Sequence, residues 1–345
     1  MKKIKIKITV LSLSTVIIGV MLITDSKGIA EAIRRCTETC LDSLIPSLFC
    51  FMLFASAVIG SGVGEVITAP FWIIFRYIIK LDRNMLAVFL MSQFGGYPIG
   101  VKLLNELIIK DDRYNKQARK AIYYCFSSGP AFVVGIVGIG IYNDVTAGVI
   151  IFISCLTANL TAAIVMNIKY KTPQFEKLSV SLKPIIINEY LKDCINSLIK
   201  IVSLILLFNS AAELIKFILS QLFDINIPYI ISTAIEITNI KQTNMIPSVI
   251  LSAALVSFGG LCVIYQIVSL AEFKVGIIKF IAARIVISLI SAFICKIIMF
   301  ISGYSPSLNV FAYKYDVTAT SPIIAVCIIC MTVIILSEAG KLRKL

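Results

Sequence analysis

Gln93-Phe94-Gly95-Gly96-Tyr97-Pro98-Ile99-Gly100-Val101-Lys102 lies inside an apolar run from about Met85 to Ile109. Its glycines and its proline interrupt what the flanking residues would carry through as one helix. Pro98 removes a helical hydrogen bond, and the glycines admit backbone angles closed to other residues. In lipid, the N–H and C=O groups released this way must be met by protein, water or ligand. The stretch predicts a membrane helix broken so that backbone groups can serve a site. Lys102 follows by about one turn and Asn105 soon after. A lysine there either snorkels to the interface or meets an anion. The plainer alternative is a kink used for packing.

Two further interruptions have the same character. Ser127-Ser128-Gly129-Pro130 divides an apolar run from Ala121 to Tyr142. A helix restarting at Pro130 would present free N–H groups and a positive dipole end beside two hydroxyls, an arrangement suited to an anion. Gly135, Gly138 and Gly140 read as close helix packing. Phe258-Gly259-Gly260 breaks a later run, with Gln266 beyond it. Near it, Glu236-Ile237-Thr238-Asn239 closes a short apolar segment; an acid there could hold a coupling proton or Na⁺, or cap a half-helix. Arg284 lies too deep in the run Val275–Ile301 to snorkel easily. It needs a partner, with Glu236 the plain candidate, or an anionic ligand.

Composition agrees with a membrane protein. Hydrophobic residues are 59% of the 345 and charged residues 15%, against about 45–50% and about 25% in soluble domains. Mean hydropathy is +0.95. A soluble enzyme is excluded, and the absence of histidine removes Ser-His-Asp and His-metal chemistry. The net charge of +13 sits in loops between apolar runs and follows the positive-inside pattern; no basic-aromatic face for nucleic acid is present. No phosphate-binding GxxxxGK[ST] loop and no base–nucleophile pair is visible, so no cofactor, metal or catalytic residue is expected. The single CxxC, Cys327–Cys330, lies in an apolar segment and reads as filler.

The expected class is all-α and polytopic, with about ten or eleven hydrophobic segments. Residues 1–24 form a basic, apolar anchor without a cleavage site. Residues 43–168 form a first transmembrane repeat with segments at about Ser43–Val63, Val66–Ile79, Met85–Ile109, Ala121–Tyr142 and Thr146–Ile168. Residues 169–194 form a basic cytoplasmic loop. Residues 195–338 form a second repeat, with segments at about Ile195–Phe223, Ile227–Ile240, Ile246–Ala271, Val275–Ile301 and Pro322–Leu336. The two short segments, Val66–Ile79 and Ile227–Ile240, read as half-helices or re-entrant pieces. Asp25–Asp42 is charge-balanced and reads as a connection able to cross.

The repeat is carried by Cys40-Leu-Asp-Ser43-Leu44-Ile45 against Cys194-Ile-Asn-Ser197-Leu198-Ile199. It continues through Leu53-Phe54 and Leu207-Phe208 to Phe94-Gly95-Gly96 and Phe258-Gly259-Gly260. Halves that begin on opposite sides of the membrane make the inverted repeats of secondary transporters, whose sites form where broken helices meet.

These motifs also carry a resemblance. Pro46-Ser47-Leu48, Gly96-Tyr97-Pro98-Ile99-Gly100-Val101-Lys102 and Ser128-Gly129-Pro130 with Phe132 resemble the Gate, or nucleoside-recognition, domain of bacterial membrane proteins. So do Glu236-Ile237-Thr238, Ser257-Phe258-Gly259-Gly260-Leu261 with Gln266, and Ala283-Arg284. The chain is most similar to the YlbJ-type sporulation integral membrane protein family, over roughly residues 40–300. It departs from it after the SFGGL run, where Cys262-Val263-Ile264 stands in place of Ser-Val-His. The resemblance implies kinship with concentrative nucleoside transporters. It further implies movement of dipicolinic acid across the outer forespore membrane of a sporulating bacterium.

The resulting expectation is a transporter of a small anionic solute, with the lipid bilayer, that solute and a coupling proton or Na⁺ as partners. The expected site comprises Gly95, Gly96, Tyr97, Pro98, Lys102, Asn105, Ser127, Ser128, Gly129, Pro130, Glu236, Thr238, Asn239, Gly259, Gly260, Gln266 and Arg284. Lys102 and Arg284 would take carboxylates, and Tyr97 could stack on the ring. The alternatives are a nucleoside-type permease and a non-transporting sporulation scaffold acting through its basic loops. Oligomeric state is left open.

Overall fold

A computed structural model describes residues 26–170, 172–173, 187–223, 229–241 and 247–305, with Gly19 and Ile23. The expected anchor, most of the basic loop, the last apolar segment and its CxxC lie outside the described residues. Every regular element among the described residues is helical. Val145–Asn167, Asn188–Leu219, Val249–Leu270 and Ile277–Ser302 are long and apolar enough to cross a membrane. The chain is an all-α polytopic membrane protein.

The first half contains α1 (Ser26–Thr39), a π-helical turn Cys40–Leu44, α2 (Ile45–Ser61), α3 (Val63–Ile78), α4 (Arg83–Gly95), α5 (Tyr97–Lys110) and α6 (Asn115–Ala121). After an irregular stretch come α7 (Ala131–Tyr142), which is largely π-helical, and α8 (Val145–Asn167). The second half contains α9 (Ile187–Phe223), α10 (Tyr229–Ile235), a 3₁₀ turn Ile237–Lys241, α11 (Val249–Phe258), α12 (Gly260–Leu270) and α13 (Ile277–Ser302). Helix pairs broken at glycine occur as α4–α5 and as α11–α12; α2 and α3 are of similar length, 17 and 16 residues, whereas α9 has 37 and α10 has 7.

Two connections carry helix. Within Asp25–Asp42, residues 26–39 are helical. Ile29, Ala32, Ile33 and Cys36 bury one side of α1, while Glu31 pairs with Arg35 and Arg34 with Glu38 at helical spacing. Charge balance hid the amphipathic period. The basic loop is also shorter than 169–194, because α9 begins at Ile187.

The chain divides into two compact units. One includes α1 up to Glu38 and α9 from Ile205, where Ile29, Ile33 and Leu214 cluster and Asn209 Nδ2 donates to Cys36 Sγ. The other runs from Thr39 to Leu204 and from Tyr229 to Leu308. In it, α4 and α5 pack on each other, α5 packs on α2 and α12, and α8 packs on α7, α11 and α13. Gly138 and Gly148 allow α7 and α8 to touch backbone to backbone; a Cβ on Gly138 would come within 2.8 Å of the Gly148 Cα. Gly138 thus serves the expected close packing, whereas Gly135 has open space beside it.

Besides α2, α3, α6 and α13, which start without a side-chain cap, six helix starts form two sets. At loops, α4, α8 and α11 begin on Asp82, Asp144 and Ser248, whose side chains accept from the N–H groups of Met85, Thr146 and Leu251. Inside the molecule, α5, α7 and α12 begin on Gly96, Pro130 and Gly259 with no side-chain cap. The first kind is closed by its own sequence. The second leaves first-turn N–H groups and a positive dipole end facing the interior.

Candidate functional site

The starts of α5, α7 and α12 lie against one another. A Cβ on Gly129 would stand 2.7 Å from Phe94 O and 3.2 Å from Gly96 N. The break before Pro130 is therefore pressed onto the break before Tyr97. A Cβ on Gly259 would stand 2.6 Å from the Phe126 ring and 3.1 Å from that of Tyr97. Tyr97 reaches across the repeat, donating its hydroxyl to Val256 O at 2.5 Å, and its ring lies 4.9 Å from that of Phe126.

Residues 122–129 carry carbonyls that no continuous helix satisfies, and buried side chains serve them. Gln93 Nε2 donates to Tyr124 O at 3.1 Å, and Asn159 Nδ2 donates to Phe126 O at 2.8 Å. Arg284 Nη1 donates to Tyr123 O at 3.2 Å and to Asn159 Oδ1 at 3.1 Å. Its Nη2 donates to Ser257 O and, at 3.3 Å, to Ser257 Oγ. Asn159 Nδ2 also donates to Gln93 Oε1 at 3.0 Å. One chain of polar side chains thus joins α4, α8, α11 and α13 at the breaks. It answers the demand that apolar surroundings place on freed backbone groups.

Arg284 is 0% exposed. Its guanidinium carbon lies 4.1 Å from the Phe126 ring centroid, a cation–π contact. Every hydrogen-bond partner it has is neutral, and its Nε is buried without one. No ion pair among the described residues includes Arg284. The plain expectation of an Arg284–Glu236 pair is therefore not met. Glu236, also 0% exposed, turns its Oε1 to the Thr238 N–H at 3.1 Å. Its Oε2 has no hydrogen-bond partner, although the Cys262 thiol lies beside the carboxyl. The Tyr97 hydroxyl lies within the electrostatic reach of both Arg284 and Glu236.

The expected residues separate into groups. Gly95, Gly96, Tyr97, Pro98, Ser127, Ser128, Gly129, Pro130, Gly259, Gly260 and Arg284 belong to the meeting of breaks just described. Ser128 Oγ is buried there without a hydrogen-bond partner. Glu236, Thr238 and Asn239 form the adjoining turn, where Asn239 Nδ2 donates to Ser232 O at 3.3 Å. That turn rests on Gly260, whose missing Cβ would lie 3.3 Å from Ile237 N.

Three other expected residues are engaged elsewhere. Gln266 donates to Cys262 Sγ at 3.4 Å and to Ile201 O at 3.5 Å. Asn105 closes the end of α12, donating to Leu270 O at 2.8 Å and accepting from Glu272 N at 3.1 Å. Lys102 directs its ammonium to Cys194 Sγ at 3.2 Å and shares no hydrogen-bond partner with Arg284.

Gln93, Asn159, Ser257 and Phe126 are central and were not among the expected site residues. An asparagine in the middle of an apolar span was the available signal for Asn159, because such residues are retained where they have a partner. Nothing local marks Phe126.

No protein-family model, curated protein or solved structure matches the chain.

Proposed function

We propose that this membrane protein is a secondary carrier or channel-like permease for a small anionic solute. The observation that supports it most is the charge of Arg284. It is fully buried, its hydrogen-bond partners are all neutral, and it stands where helix starts from both repeats meet. A lone cation in such surroundings is costly. A mobile anion that spends part of a transport cycle beside it lowers that cost. The donors available to the anion are the Arg284 Nε–H and the Ser128 hydroxyl. The broken helices are the kind of element at which secondary transporters hold substrate.

The resemblance to the sporulation membrane protein family supplies the finer reading: the solute is dipicolinic acid, carried across the outer forespore membrane. A small aromatic dianion suits a site with a positive centre and the Tyr97 and Phe126 rings beside it.

Uptake of labelled dipicolinate and labelled uridine into proteoliposomes of the full-length chain tests this, with and without proton or Na⁺ gradients. Saturable dipicolinate uptake is expected. Arg284→Lys, which keeps the charge but not the fork of donors, should lower it about tenfold or more, the worth of one charge-assisted hydrogen bond. Uptake of uridine alone would place the protein with nucleoside permeases. Uptake of neither, by protein shown to be folded, would favour the scaffold role.

A further inference from the structure

A second polar feature runs along α5, away from the breaks. Lys102, Glu106 and Lys110 follow at four-residue spacing, which stacks them turn upon turn on one side of the helix. Lys110, at the loop end, pairs with Glu65 Oε1 at 3.3 Å. Lys102, the deepest, is 8% exposed and is bound to the Cys194 thiol rather than to a carboxylate. Glu106 lies between the two lysines, and no ion pair among the described residues includes it. Its Oε2 is buried without a hydrogen bond. The Ser56 hydroxyl of α2 lies beside the carboxyl but outside hydrogen-bonding geometry.

The charges acting on Glu106 are those of Lys102 on its own helix and Asp193 on α9. Tyr190 of α9 is also within its reach. Of the other elements packed on α5, α2 and α12 carry no charged residue and α4 only Arg83, at its far start; the turn Asp112–Tyr114 and α6, beyond the Lys110 end, carry Asp112, Arg113, Lys116, Arg119 and Lys120.

This geometry suits a proton better than a metal ion. A hard cation needs several oxygen ligands. Glu106 has one hydroxyl for a neighbour, and beyond it stand an ammonium and a thiol. No metal-capable cluster of acids, cysteines or histidines occurs among the described residues. A proton needs only one oxygen lone pair and a route to water. Glu106 is partly exposed, and Asp193 is on the surface.

We propose that Glu106 is the proton-binding group through which the carrier is coupled to the proton gradient. This rests on the carrier reading above. The carboxylate takes a proton from water and becomes a neutral acid, and the same O–H bond breaks when the proton leaves on the other side. No other bond changes. Protonation removes the negative charge that offsets Lys102, so the potential along α5 toward the breaks becomes more positive. Proton and anion then favour each other's binding by the same factor, which is symport.

Two measurements on the full-length protein test it. The first uses infrared difference spectra without any substrate. Acidification should produce a protonated-carboxyl band in the wild type that Glu106→Gln lacks. Absence of the band from the wild type, or its persistence in Glu106→Gln, overturns the proposal whatever the protein transports. A band assigned to Glu106 in protein that carries no dipicolinate would uphold the proton site and refute the substrate reading.

The second measures dipicolinate binding against pH. Wild-type affinity should rise as pH falls. In Glu106→Gln it should be high and independent of pH, with gradient-driven accumulation lost and substrate exchange at equal concentrations retained. Glu106→Asp should restore the pH dependence. A wild-type pH dependence in Glu106→Gln, or loss of exchange together with accumulation, contradicts the proposal.

Discussion

The two Phe-Gly-Gly breaks do the same work with different materials. In each, the second glycine has a positive φ, 96° at Gly96 and 86° at Gly260, a region that glycine enters without strain. The first break meets backbone on one side, while the Phe51 ring and the Leu48 side chain lie against Gly95 and Gly96. Gly129 presses on Phe94 O and Gly96 N, and Gly100 lies so near Cys125 that a Cβ would fall 1.8 Å from its carbonyl oxygen. At the second, the Tyr97 and Phe126 rings cover Gly259, Arg284 and Tyr97 hold the carbonyls of Ser257 and Val256, and the backbone of residues 234–237 lies against Gly260. Backbone against backbone leaves no room to adjust, whereas side-chain contacts can exchange. The contacts at Gly129 and Gly100 therefore make a fixed wall of the site, and the ring and arginine contacts about Gly259 and Ser257 are the part able to respond to a ligand.

The largest expected effect breaks that contrast if it fails. Gly100→Ala sets a methyl group into the Cys125 carbonyl and should cost about 3 kcal/mol or more, or abolish accumulation of folded protein. Gly260→Ala meets backbone at 3.3 Å from Ile237 N, tighter than ordinary contact but far looser than at Gly100. It should cost about 1–2 kcal/mol for the backbone angle alone. Thermal melts in detergent compare the two, and equal losses would remove the distinction.

Arg284→Gln comes next. It withdraws donors from Tyr123 O, Ser257 O and Asn159 Oδ1, and unmet buried acceptors cost about 1–3 kcal/mol each. The same melts should show a loss between those of the two glycine variants. A melt unchanged from wild type would mean that water or another side chain serves those carbonyls.

Tyr97→Phe sharpens the comparison by cutting a single link between the breaks, the hydroxyl bond to Val256 O. A loss of about 1 kcal/mol is expected. Faster hydrogen exchange should be confined to the end of α11, and exchange that rises equally at α4 would contradict the wall-and-cover distinction.

The smallest effect lies away from both breaks. Asp144 caps α8 and accepts from the Tyr304 hydroxyl, which holds its carboxyl below the ordinary carboxylate range. A lowered value means that this stabilisation is complete above the unfolded-state value and is lost as pH falls through the folded one. Melting temperature should therefore drop slightly more on acidification in the wild type than in Asp144→Asn. Equal acid sensitivity would remove Asp144 from the account.

The breaks were legible in the sequence because glycine and proline act on their own backbone. Residues 95–98, 127–130 and 258–260 needed no partner to announce them. The helical class followed from apolar segment length. What serves the breaks was hidden, because Gln93 and Asn159 act on carbonyls of residues 124 and 126 that only the fold brings near. Opposite charge invited an Arg284–Glu236 pair, but Arg284 turns to neutral acceptors and Glu236 to its own turn. Glu106 was visible in the four-residue spacing of Lys102, Glu106 and Lys110. It drew no notice because each residue, taken singly, suits a helix end.

Asn159→Asp tests the central claim most directly, that an arginine without a carboxylate, held where the breaks meet, receives the anion. Asn159 Oδ1 already lies 3.1 Å from Arg284 Nη1, so aspartate supplies the missing negative charge with little change of size, at the loss of the Nδ2 bonds to Phe126 O and Gln93 Oε1. Equilibrium binding of labelled dipicolinate to purified, folded protein is the readout. The account predicts saturable binding by the wild type and a loss of at least about tenfold in Asn159→Asp. Undiminished binding in that variant would contradict it.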